Sequence, residues 1–138
     1  MKNLLLHAVH LAQSAIRERR KAKERSPEWS GVRDRFLASH PECSACGGKK
    51  RLQVHHSMPY HLRPELELVE SNLLVLCMGR FECHLAIGHG DDFRAWNPLV
   101  AHHAVECRQT PTHRKLVEEA ARASRRYAGI ASQSGVAA

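Results

Sequence analysis

The chain lacks the long apolar runs that would place it in a membrane. No stretch of its 138 residues approaches the roughly 18 apolar residues that a spanning helix needs. The apolar segment at 1–16 is interrupted by His7 and His10, and a dense basic block follows where a secretory signal would carry small residues for cleavage. We therefore expect a protein without membrane insertion or secretion, in the cytoplasm.

The sequence also lacks internal repeats, and it has few acidic residues relative to basic ones. Fourteen Asp and Glu stand against 21 Lys and Arg, which gives a formal net charge of +7 and a pI of about 9.5. A basic surplus of this kind favours a polyanionic partner. Two full domains would each be marginal at this length, so we expect one domain with extensions.

Five cysteines are present, and their spacing is typical of a metal site. Cys43 and Cys46 have the spacing of a zinc knuckle, whereas Cys77 and Cys83 enclose five residues, which is wider than usual. An odd number of thiols in a reducing compartment argues against a disulfide framework. We predict that the two pairs form one structural zinc site; alternatively, Cys77 is merely buried and a histidine completes the site. Cys107 is predicted to be a small buried apolar residue.

The remaining pattern predicts an α+β fold with helices on both sides of two short strands. The predicted elements are a basic amphipathic helix over 1–25, a helix capped by Ser26 and Pro27 and ended by His40-Pro41, strands over Arg51–His55 and Leu73–Leu76, a helix opening at Cys83, helices within 99–130 with the last ended by Gly129, and a flexible tail over 131–138. The central segment, 26–98, contains all the residues with chemical potential.

Histidine is abundant, with 11 residues, and several lie beside the cysteine pairs. His55 and His56 are adjacent near a strand end, Asn72 precedes the second strand, and His84 follows a cysteine. Neighbouring strand residues point to opposite sides, so one histidine can bind a metal while the other stays free as a base. We expect the zinc site to draw His84 towards His55, where the two could share a divalent cation.

The order and spacing of these motifs resemble those of a known enzyme family. Cys43-x-x-Cys46, Val54-His55-His56, Asn72-Leu73-Leu74-Val75-Leu76-Cys77 and Cys83-His84 resemble the His-Asn-His (HNH) endonucleases, in the cysteine-bearing branch common among phage and bacterial nucleases. The similarity extends from about Trp29 to Pro98. It implies a small ββα-metal (His-Me finger) module over 26–98, cross-linked by a structural zinc and flanked by the terminal helices, in a bacterial or phage-encoded protein.

The resemblance also implies roles for individual residues. His55 and His84 match the ligands of a catalytic divalent ion, Mg²⁺ or another; His56 matches the general base, and Asn72 the residue that braces the loop and orients this base. His89 lies five residues after His84, where some members carry a histidine after four. It is therefore either an additional functional residue or a phosphate contact. The implied reaction is hydrolysis of DNA by activated water, giving 5′-phosphate and 3′-hydroxyl ends.

Basic residues within the module are candidate contacts to the DNA backbone. They are Lys49, Lys50, Arg51, Arg63, Arg80 and Arg94. The sequence alone leaves open two alternatives to an enzyme that cleaves DNA by itself. One is a non-catalytic zinc-containing module that binds DNA, and the other is a phage DNA-packaging accessory whose nuclease acts only with a protein partner.

Overall fold

The structure is a computed structural model that describes the backbone of residues 24–133 and the side chains of residues 24–125. The basic helix predicted over 1–25 lies almost wholly outside the described residues, as does most of the tail over 131–138. Helices and a small two-stranded sheet make up the described part, so the α+β prediction is confirmed.

The centre of the fold is an antiparallel pair of strands, β1 (Leu52–His56) and β2 (Leu73–Cys77). β2 is buried along its whole length because both faces of the pair are covered, which explains its uninterrupted apolar sequence. His55 pairs with Leu74 across the sheet. β1 begins one residue later than predicted, since Arg51 adopts a φ of 53° and cannot extend the strand.

One face of the sheet is covered by helix α1 (Trp29–Ser39), which packs through Phe36 against β2. The predicted helix end before His40-Pro41 is confirmed, whereas the predicted cap is wrong. Ser26 accepts hydrogen bonds through its Oγ from the amide of Glu28 at 3.2 Å and through its carbonyl from the amide of Trp29 at 3.0 Å. These bonds form a turn that precedes the helix, so the helix starts after Pro27 rather than on it.

The other face is covered by the second half of the chain. A π-helical turn (His84–Gly88) follows Cys83, where the opening of a helix was predicted. Helices α2 (Val100–Gln109) and α3 (Arg114–Gln133) come next, separated by a 3₁₀ turn (Pro111–His113). The fully buried side chains that join these elements to β2 are Leu76, Ile87, Val100 and Val117. Each contributes about 1.5–3 kcal/mol through burial.

Helix α3 extends past its predicted end at Gly129 and reaches Gln133. A glycine inside a helix costs only about 1 kcal/mol relative to alanine, and the surrounding sequence is rich in alanine, the best helix former. Cys107 is buried in the core as predicted. Among the residues that the structure describes, no helix is long and apolar enough to cross a membrane.

Candidate functional site

The four cysteines of the two predicted pairs come together at one end of the sheet. Their Sγ atoms all lie within 4.8 Å of one another; the residues are Cys43, Cys46, Cys77 and Cys83. The Sγ atoms of Cys46 and Cys77 are 3.6 Å apart. None is in a disulfide. Zinc–sulfur bonds of about 2.3 Å put the sulfurs of a tetrahedral site about 3.8 Å apart. The cluster could therefore hold a metal such as zinc, with four cysteines rather than three and a histidine.

Local backbone geometry shapes the knuckle that carries Cys43 and Cys46. Gly47 adopts a φ of 71°, which is readily available only to glycine, and its amide donates to the carbonyl of Cys43 at 2.8 Å. The amide of Gly48 donates to Sγ of Cys46 at 3.4 Å. Ser44 fixes the knuckle to β2 through a 2.8 Å bond from its amide to the carbonyl of Val75.

Arg114, from the start of α3, supplies a positive charge to the cysteine cluster. Its Nη1 donates to Sγ of Cys83 at 3.3 Å, and its Nη2 donates to the carbonyl of Phe81 at 2.7 Å. As free thiols the cysteines are strongly coupled: a hydrogen bond from Cys83 lowers the pKa of Cys43 to about 4, and the same bond raises the pKa of Cys83. A cation at this position favours the thiolate forms that a metal requires.

Three histidines form a second cluster on the face of β1 opposite to α1. The rings of His55, His84 and His89 lie 5.0–5.1 Å apart, centroid to centroid, and one nitrogen of each lies within 4.8 Å of the others. His55 is 4% exposed, and its Nε2 is the buried side-chain nitrogen that has no hydrogen-bond partner among the described residues. The structure thus brings His89 to the predicted pair.

Hydrogen bonds fix the orientation of two of these rings. Nδ1 of His84 donates to Oε1 of Gln53 at 2.5 Å, and Nδ1 of His89 donates to the carbonyl of Ala95 at 2.7 Å. These bonds select the tautomer whose Nε2 carries a free lone pair, as in metal-binding histidines. Burial lowers the pKa of His84 to about 4 and that of His55 well below its usual value. The rings of His55 and His84 are therefore neutral near pH 7 and able to act as ligands.

His56 points away from this cluster and is held in a different environment. Its ring lies 4.6 Å from that of Trp29, and its Nε2 donates to the carbonyl of Glu67 at 2.9 Å. Burial lowers the pKa of His56, and the Glu67 carbonyl opposes this effect. The tautomer with Nε2–H leaves Nδ1 as an acceptor, so His56 can take a proton.

Asn72 braces the loop that joins the two strands. Its Oδ1 accepts from the amide of Met58 at 2.8 Å, and its Nδ2 donates to the carbonyls of Met58 and Leu66 at 3.0 and 3.1 Å. Met58 is two residues beyond His56, so these bonds fix the chain that leaves the histidine pair. Asn72 itself makes no hydrogen bond to His56 among those that the structure describes, and its effect on that ring passes through the backbone.

A cavity of about 310 Å³ opens onto both sets of histidines. It is lined by His55, His56, His84 and His89, and two arginines, Arg25 and Arg94, also line it. Of the six predicted DNA contacts, Arg94 alone lines this cavity. Lys49, Lys50 and Arg80 line another cavity, of about 320 Å³, beside the cysteine cluster, and Arg51 precedes β1 at the same end. Arg63 is exposed and paired with Glu65.

The residues that hydrogen-bond to the turn carrying His84 were not among the site residues predicted from the sequence. Asn97 is fully buried and donates from Nδ2 to the carbonyl of Ile87 at 2.9 Å and to Nδ1 of His103 at 2.8 Å. Its backbone amide donates to the carbonyl of Gly88 at 3.0 Å, which secures the turn that carries His84. No residue pattern in the sequence pointed to Asn97 individually. Arg25 and Arg114 gave no individual signal.

Comparisons of this chain with protein-family models, with curated proteins and with solved structures found no match.

Proposed function

We propose that the chain is a metal-dependent endonuclease of the HNH type that hydrolyses DNA phosphodiester bonds. The observation that carries this proposal is the pairing of a three-histidine cluster with a differently oriented histidine, His56, at one cavity. A structural site needs no free base beside its ligands, whereas hydrolysis does. The surplus of positive charge and the two cavity arginines suit a phosphate backbone as substrate.

The donor set favours a transition metal over Mg²⁺ at the histidine cluster. Imidazole nitrogens suit Zn²⁺, Ni²⁺ and related ions, while Mg²⁺ prefers oxygen ligands. His55, His84 and His89 would bind the ion and leave coordination positions for water and phosphate oxygens. When bound, the ion would neutralise negative charge on the phosphate and on the leaving oxygen. The four cysteines would bind a separate structural zinc, because a closed four-ligand site has no place for substrate.

The side chains of the cavity supply the remaining steps. Nδ1 of His56 accepts a proton from water while the water oxygen forms a bond to phosphorus and the bond from phosphorus to the 3′ oxygen breaks. The products are a 5′-phosphate and, after protonation of the leaving oxygen, a 3′-hydroxyl. Glu67 holds the ring of His56 through its carbonyl, and Asn72 holds the loop that follows. Both contacts preserve the position of the base.

A zinc-containing DNA-binding module without catalysis is the second candidate. Its support is the cluster of Lys49, Lys50 and Arg80, which lines a cavity next to the cysteines rather than the histidines. Binding through this end would require neither His56 nor the three-histidine cluster. The nuclease candidate predicts that substitution of His56 lowers DNA cleavage, whereas the binding-module candidate predicts that the substitution leaves DNA binding unchanged.

Cleavage of supercoiled plasmid distinguishes these candidates. The wild-type protein, with its structural zinc verified, is compared with His56→Ala and with a matched control, His102→Ala, whose side chain is 74% exposed. We expect nicking that requires Ni²⁺, Mn²⁺ or another added cation, falls by about 10²–10⁴-fold in His56→Ala, and is retained in the control. Equal cleavage by all three proteins would remove His56 as the base. Binding without cleavage under every cation would favour the binding module, or an accessory that needs a partner.

A further inference from the structure

Arg25 occupies a fixed position at the rim of the histidine cavity. Its guanidinium carbon lies 4.3 Å from the ring centroid of Tyr60 and 4.9 Å from that of Trp29. Nη1 donates to Oε1 of Glu67 at 3.2 Å, and the side chain is still 44% exposed. A guanidinium that contacts two aromatic rings and a carboxylate loses little further entropy when it binds a ligand.

Glu67 links this arginine to the proposed base. Its side chain is 6% exposed, and its carboxylate also accepts from the amide of Ser26 at 2.9 Å. The backbone carbonyl of the same residue accepts from Nε2 of His56. Arg25 and His56 are therefore positioned by one buried residue, which fixes the guanidinium relative to the imidazole.

The charged side chains that line the cavity favour the binding of an anion. Among the described residues that line it, no carboxylate is present, and the cationic side chains are Arg25 and Arg94. Arg94 differs from Arg25 because its side chain is 94% exposed and, within the part of the chain that the structure describes, pairs with the surface carboxylate of Asp92 at 3.5 Å. Five N–H groups in a planar fork match the oxygens of a phosphate, and the bond to Glu67 uses one guanidinium nitrogen.

We propose that Arg25 binds the phosphate group that enters the histidine cavity and holds it in line with His56. This inference rests on the proposed nuclease function for its catalytic consequence, but phosphate binding by Arg25 can be measured without cleavage. The side chain acts on the substrate directly, and Glu67 acts as the residue that positions it.

The test combines DNA binding with single-turnover cleavage. Binding of a fluorescein-labelled DNA duplex to the zinc-loaded protein is measured over a range of salt concentrations with no further cation added; Ni²⁺ or Mn²⁺ then starts cleavage. In Arg25→Gln we expect the slope of log K against log salt to lose about 0.9, the value for one phosphate contact. We expect the saturated cleavage rate to fall by about 10²-fold. Arg25→Lys should retain the slope but recover only part of the rate, because it lacks the fork.

Two further variants separate substrate contact from a structural role. Arg25→Gln leaves Glu67 buried without its cation, so the double variant with Glu67→Gln is assayed beside it, and unfolding temperatures are compared. Glu67→Gln alone keeps the guanidinium and should keep the salt slope. The exposed Arg35 provides the control, and Arg35→Gln should match the wild type in both measurements.

Each outcome is decisive. A wild-type slope in both Arg25→Gln and the double variant would overturn the proposal, whatever the cleavage rate. An equal loss of rate in Glu67→Gln and Arg25→Gln with unchanged slopes would show that Arg25 only positions Glu67. If the wild type binds DNA but no cation supports cleavage, the proposed function fails, while a reduced slope in Arg25→Gln would still establish the phosphate contact.

Discussion

Replacement of Gly88 by alanine should weaken metal binding at the histidine cluster without affecting the cysteine cluster. A Cβ at this position would lie 3.0 Å from Cε1 of His55, 3.1 Å from its Nδ1 and 3.2 Å from Cδ1 of Leu76. Carbon atoms in good contact are about 3.5–4.0 Å apart, so these neighbours must move by about 0.3–0.5 Å. Leu76 is fully buried and has little room to move, and any shift of the His55 ring displaces the proposed ligand itself.

The displacement is large compared with what a metal site tolerates. Metal–ligand bond lengths in such sites vary by only about 0.2 Å. Disturbance of a contact that orients a ligand typically lowers the affinity for the metal by about 10–100-fold. We expect Gly88→Ala to lose affinity in this range. Overpacking should also cost about 1–3 kcal/mol of stability.

The assay is calorimetric titration of Ni²⁺ into protein that carries one equivalent of zinc, with zinc content measured before and after. Gly31→Ala is the matched control, because its Cβ would meet only the flexible end of Arg35, at 3.2 Å. The control should bind Ni²⁺ as the wild type does. Wild-type Ni²⁺ affinity in a folded Gly88→Ala protein would refute the reasoning, since it would mean that His55 is not a ligand.

Three further predictions concern the supporting structure. Arg114→Gln removes the hydrogen bond to Sγ of Cys83 and should lower the unfolding temperature and speed zinc loss to a chelator; an unchanged rate of loss would contradict a role for this arginine at the cluster. Cys107→Ala should retain one zinc per chain, as judged by elemental analysis, whereas Cys77→Ala should lose it; zinc loss from both would place Cys107 among the ligands. Burial lowers the pKa of His103 below its ordinary value of about 6.5, so the stability contributed by the neutral imidazole is fully present above about pH 6.5 and is lost as the pH falls towards the folded-state pKa. His103→Gln should flatten that part of the stability profile in denaturant titrations, and an unaltered slope would exclude His103 as a source.

The cysteine cluster and the strands could be predicted because each is encoded in a short stretch of sequence, as residue spacing or as an apolar run. The apolar run of β2 indicates a strand covered on both faces, and Cys43 and Cys46 have the spacing of a knuckle. The wide spacing between Cys77 and Cys83 did not prevent the cluster from forming. The loop between them turns on a 3.0 Å bond from the amide of Glu82 to the carbonyl of Gly79, and Glu82 adopts a φ of 44°.

The distribution of basic residues could not be predicted from their proximity in sequence to the histidines. Lys50 and His55 are five residues apart, but Lys50 precedes the start of β1 whereas His55 lies near its other end, and an extended strand advances about 3.3 Å per residue. Arg25 precedes His55 by thirty residues and nevertheless lines the same cavity, because Glu67 pairs with it. Only the tertiary structure shows which cations can meet a phosphate at the histidines.

The position of His89 beside His84 depends on a π-helical turn that the sequence pattern does not predict. In an α-helix with 3.6 residues per turn, residues five apart point to different sides, which would separate His89 from His84. A π-helical turn has an i to i+5 repeat and brings them to the same side. Such a turn needs partners for its displaced carbonyls, and Asn97 supplies them through its bonds to Ile87 and Gly88. The third histidine of the cluster therefore depends on a buried asparagine nine residues beyond Gly88, which explains why ligand spacing alone left the role of His89 open.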